Sequence, residues 1–156
     1  MALETKADLN DTTIDKLQKL IRANIDSYNG FLESAEELND AKLKQLFQEL
    51  GHQRSALATE LQKHIEFNGK EAEDDGSVAA KTHRIWINIR GKLNGGDPTV
   101  ILIEAERGED HIKEAYEEVL KDTAGSAMND ILTEQYALVK KGHDMVRDLR
   151  DAYKSA

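Results

Sequence analysis

The chain has 156 residues, a formal net charge of −9 and no cysteine. Disulfides, thiolate chemistry and Cys-ligated metal are therefore excluded. An acidic protein of this kind also lacks the clustered Lys and Arg that nucleic acid or an anionic membrane would need, so neither is expected as a partner. The length is that of one domain, residues 1–156, with room for one substantial core. Helix formers dominate, there is a single proline, and no β-branched run alternates, so the chain reads as all-α.

The opening MALETKADLND has no basic stretch leading into an apolar one, and no apolar run reaches spanning length, so a cytoplasmic location is expected. A first helix is expected over about residues 12–38, capped by Asn10, Asp11 or Thr12. Leu17, Leu20, Ile21, Ile25, Phe31, Leu32, Ala35 and Leu38 form its apolar stripe, and Asn24 and Tyr28 continue it. Asn39 and Asp40 break the helix and cap a second one over about 41–67. Its stripe is Leu43, Leu46, Phe47, Leu50, Leu57, Leu61 and Ile65, with Arg54 filling the gap and His52 pointing nearly opposite. So short a break implies an antiparallel hairpin.

The stretch 68–97 reads as a crossover holding a short helix over about 77–93. Ile85, Trp86 and Ile89 share a face there, which suits either covering the core or an oligomer contact. Asp97–Pro98 marks the next boundary, since Asp caps and Pro fits the first helical position. The third helix, about 98–121, carries Ile101, Leu102, Ala105, Glu109, Ile112, Tyr116, Val119 and Leu120. The fourth, about 127–153, carries Met128, Ile131, Leu132, Gln135, Leu138, Val139, Gly142, His143, Met145, Val146 and Leu149. One long crossover between two hairpins is the ferritin-like arrangement of an antiparallel four-helix bundle.

Asn24, Tyr28, Arg54, Glu109, Tyr116, Gln135 and His143 stand at positions where Leu or Ile would serve a core. Unpaired, each such polar group would cost roughly 1–3 kcal/mol and a charge more. They either satisfy one another, with Arg54 and Glu109 paired bidentately, or line a site. A pocket bordered by Tyr28 and Tyr116 would suit a small ligand.

A di-iron centre needs a Glu from one helix of each pair and Glu-x-x-His from the other, all inward. Glu49-x-x-His52 has the letters but faces away from the stripe. On the fourth helix Lys140, not a carboxylate, stands three residues before His143. An incomplete site is left, with Glu109, His143, Glu106 and Glu36 as ligand candidates. No Gly-rich phosphate loop and no activated nucleophile is found.

LKQLFQELGHQRSALATEL at 43–61, HRIWINIRGKLNGGD at 83–97, ILIEAERGEDHIKEAYEEVL at 101–120 and the terminal QYALVKKGHDMVRDLRDAY carry a resemblance. The chain resembles an uncharacterised bacterial four-helix-bundle family, a domain-of-unknown-function group within the ferritin-like superfamily. Iron stores and di-iron oxidases belong to that superfamily, so the resemblance implies iron or another divalent metal as the alternative to having no cofactor. The missing inward Glu-x-x-His departs from the superfamily's ligand pattern. The expectation is a structural, stress-related or protein-interaction domain, not an enzyme, with a homodimer or another protein as partner. The competing expectation is a metal-binding oxidoreductase or metal store.

Overall fold

Asn10 starts the bundle by accepting the Thr13 amide proton, and α1 runs Asp11–Glu37. Asp40 accepts from Lys42 and Leu43 and starts α2, Ala41–Phe67. Asp97 accepts from Thr99, Pro98 takes the first turn, and α3 runs Pro98–Asp122. The last helix, α4, is Asn129–Ser155. Each cap satisfies an amide that the first turn of a helix leaves without an intrahelical partner. This computed structural model describes residues 4–76 and 97–155. The expected crossover helix over 77–93, with Trp86, lies outside them.

The side-chain contacts set the topology. Lys16 pairs with Asp122 and Lys19 with Glu118, while Asn24 bonds to Tyr116, so α1 and α3 are antiparallel. Gln135 reaches Leu57 and Gly142 abuts Arg54 and Leu50, so α2 and α4 are antiparallel too. The directions are up, down, down, up. α2 and α3 run parallel, and the connection of residues 68–97 joins opposite ends of an all-α four-helix bundle. Its first residues turn back along the α1–α2 hairpin. There Gln18 bonds to Glu71 and Glu73, and Gln62 bonds to Glu73.

Two apolar clusters fill the interior. One joins Leu17, Leu20, Ile21, Leu61, Ile65, Ile112, Val119, Leu132 and Val139. The other joins Phe31, Leu43, Phe47, Leu50, Ile101, Leu102 and Val146. Between them every helix changes character: Asp26, Ser27 and Gly30 on α1, Gly51 and Arg54 on α2, Gly108 and Glu109 on α3, and Gly142 and His143 on α4 are all buried. A polar layer thus crosses the bundle at mid-height.

Two side chains expected on the α4 stripe are instead exposed, Leu138 at 41% and Met145 at 36%. The buried row is Met128, Leu132, Gln135, Val139, Gly142 and Val146, and at 100° per residue both lie well off it. At the other end of the chain, Glu4 accepts from Thr13, Asn10, Ser126 and Ala127, tying the N-terminal arm to the α3–α4 turn.

Candidate functional site

Arg54 is fully buried, and its Nη2 donates to Glu109 Oε2 at 2.6 Å. The Arg54 guanidinium carbon lies 5.7 Å from the Phe31 ring centroid, so the cation also meets an aromatic face. Gly142 makes room for it: a Cβ there would fall 2.6 Å from Arg54 Nη2 and 3.3 Å from Glu109 Oε2. The pair is joined by one hydrogen bond and not by the bidentate fork expected from the sequence. Arg54 Nε and Nη1 and Glu109 Oε1 have no protein partner. Burial pushes the Glu109 carboxyl up to about 6, against the pull of the Arg54 and His143 charges.

A second chain of bonds crosses the layer nearer Tyr116. The phenol donates to Gln135 Oε1 at 2.6 Å and accepts from Asn24 Nδ2 at 2.8 Å. Asn24 Nδ2 also bonds to the Leu20 carbonyl. The Gln135 amide donates to Glu60 Oε1 at 2.7 Å and to the Leu57 carbonyl at 3.3 Å. Glu60, which sequence reasoning did not single out, closes this network. Burial raises the Tyr116 hydroxyl above its ordinary value, so it stays a protonated donor at neutral pH.

The remaining candidates fall elsewhere. Tyr28 is half-buried beside His52, their ring centroids 6.1 Å apart, and belongs to neither network. It lines a cleft with Ile25, Ser55 and Asp74 in which Tyr116 takes no part, so the two tyrosines do not border one pocket. Glu36 is exposed near the end of α1. His143 is buried but turned to the margin of the layer, with Nε2 2.5 Å from Asp110 Oδ1 and Nδ1 3.1 Å from Asp144 Oδ1.

Glu106, Asp110 and His143 converge as a partial metal-binding cluster, each offering one ligand atom within 4.8 Å of the others. Two of the three are among the sequence candidates. Asp110 is the one missed, and its signal is its place four residues after Glu106, on the same face of α3. Glu109, grouped with them by sequence, turns inward to Arg54. A di-iron set of carboxylates and Glu-x-x-His is not completed among the described residues.

Among the described residues no helix is long and apolar enough to cross a membrane. No curated protein matches the chain. Residues 12–122, from the start of α1 to the end of α3, match the family described as domain of unknown function DUF2383, and the chain belongs to that family.

Proposed function

We infer that the chain is a ferritin-like bundle of the cytoplasm acting as a structural, stress-related or protein-interaction domain without redox chemistry. The single long connection between two hairpins supports the superfamily placement. One observation carries the functional reading: Arg54 sits buried at mid-height, paired with Glu109 at 2.6 Å. Carboxylate bundles place hard divalent ions in their core and neutralise them with converging Glu and His. Here a guanidinium supplies the positive charge, and a divalent ion beside it would meet strong repulsion. The layer then fixes the register of four helices, as buried polar groups do in other bundles. A protein partner or a second copy has the outer face of α4, with Leu138 and Met145, to pack against.

The test is an anaerobic ferrous titration of the full, metal-free chain, followed by admission of oxygen. The expected result is no uptake of two iron equivalents and no oxygen consumption above buffer. Two equivalents bound, with oxygen consumption abolished by Glu109→Ala, would overturn the reading in favour of an oxidoreductase or metal store.

A further inference from the structure

At the α3–α4 margin of the polar layer, a second group of ligand-type side chains gathers among the described residues. Glu106 and Asp110 stand four residues apart on α3 and face His143 of α4. The three side chains are 16%, 48% and 8% exposed, so the group has a buried imidazole at its base and an open mouth.

The imidazole is oriented from both sides. A carboxylate stands at each ring nitrogen: Asp144 Oδ1 lies 3.1 Å from Nδ1 and Asp110 Oδ1 lies 2.5 Å from Nε2. So short a contact holds a positive centre, the ring's own proton or a metal ion in its place. An imidazole that donates its other N–H to a carboxylate is the arrangement in which histidine serves metals. Glu106 adds the third ligand; Arg150 Nη1 engages its Oε2 at 2.8 Å from a partly exposed position, so an ion must share that carboxylate with the guanidinium or displace it.

We propose that Glu106, Asp110 and His143 form a site for a single zinc-class divalent cation, with Asp144 orienting the histidine and water completing the coordination. Metal–nitrogen and metal–oxygen bonds of about 2.0–2.2 Å place two ligand atoms of a tetrahedral site roughly 3.3–3.6 Å apart. The ion therefore replaces the proton and spreads the 2.5 Å contact by about 0.8 Å or more. The half-exposed Asp110 can make that movement by a small side-chain rotation. This site is independent of the functional reading above: one ion at the bundle's margin leaves Arg54 in the centre and builds no two-metal oxidase.

The experiment titrates the metal-free full chain with Zn2+ alone, read by calorimetry, and with Co2+ alone, read by its visible spectrum. One equivalent is expected. Asp110→Asn and Glu106→Gln should each weaken binding at least tenfold. Asp144→Asn should weaken it about tenfold, the effect of removing a histidine's orienting carboxylate. Nitrogen NMR of the imidazoles should show the His143 Nε2 resonance, and not those of the other histidines, moving on Zn2+ addition. Glu49→Gln, at the outward Glu49 and His52 pair, should change nothing. His143→Ala removes a buried side chain and could unfold the bundle, which is why the two half-open carboxylates carry the test. No saturable binding, or binding that survives Asp110→Asn and Glu106→Gln undiminished, would overturn the site.

Discussion

Gly142→Ala sets two effects of opposite sign against each other. In a helix interior the change ordinarily stabilises by up to about 1 kcal/mol, because Ala loses less backbone freedom than Gly. Here the new Cβ would lie 2.6 Å from Arg54 Nη2, and 3.3 Å from both Glu109 Oε2 and Leu50 Cδ2. The first distance is too short for any carbon contact, so the guanidinium must move. It is fully buried, and its movement lengthens the one hydrogen bond it makes to Glu109. Breaking a buried ion pair costs about 3–5 kcal/mol, because a charge is left without compensation. Complete loss less the helix gain would be about 2–4 kcal/mol, so partial loss predicts net destabilisation of about 1–2 kcal/mol. Urea unfolding followed by circular dichroism measures it, with an unchanged m-value as the check that the same surface unfolds. In an Arg54→Met background the clash is gone, and the same glycine substitution should be neutral or stabilising. A Gly142→Ala protein as stable as wild type in the native background would refute the packing argument.

Two further outcomes follow from the polar layer. Burial lifts Glu109 in the folded chain from 4.5 to about 6, so the native state holds that proton more tightly than the unfolded state. The group's contribution to stability is therefore complete below about pH 4.5 and is lost as pH rises through 6. At about 1.4 kcal/mol per unit this amounts to roughly 2 kcal/mol. The stability of wild type relative to Glu109→Gln should fall by that amount between pH 4.5 and 7 in parallel urea series, and a gap that widens instead would contradict the assignment. Tyr116→Phe keeps the ring but strips Gln135 Oε1 of its donor and Asn24 Nδ2 of one of its two acceptors, and should cost about 1–3 kcal/mol in the same assay.

The bundle was legible because the signals that encode it are local. Stripes such as Leu17, Leu20, Ile21 and Leu57, Leu61, Ile65 recur at helical spacing, and Asp40 and Asp97 announce helix starts with the side chain that does the capping. Polar residues interrupting an apolar stripe likewise marked Arg54, Glu109, Tyr116 and Gln135, all of which the structure buries. Opposite charge pointed to the Arg54–Glu109 pair across 55 positions, but periodicity could not supply its geometry, a single hydrogen bond in the room left by Gly142 of a third helix. Tyr28 sits at a stripe-like position, yet it faces His52 because the buried face of α1 turns toward Asp26, Ser27 and Gly30 as it crosses the layer. Asp110 was passed over because Glu109 beside it is the inward residue. Its role depends on α4 bringing His143 alongside, and no spacing within α3 encodes that.

We infer that the Arg54 guanidinium, and not a metal ion, neutralises the Glu109 carboxylate buried at mid-bundle. A double-mutant cycle on Arg54→Met and Glu109→Leu tests it most directly, with unfolding free energies measured in metal-free buffer. Each single variant should lose several kcal/mol, and the double variant should recover most of that loss because a buried pair exchanged for apolar groups of similar size is often neutral or better. The predicted coupling is above about 2 kcal/mol. Losses that simply add, to within about 0.5 kcal/mol, would mean that Arg54 and Glu109 act independently and that the carboxylate's true partner lies elsewhere.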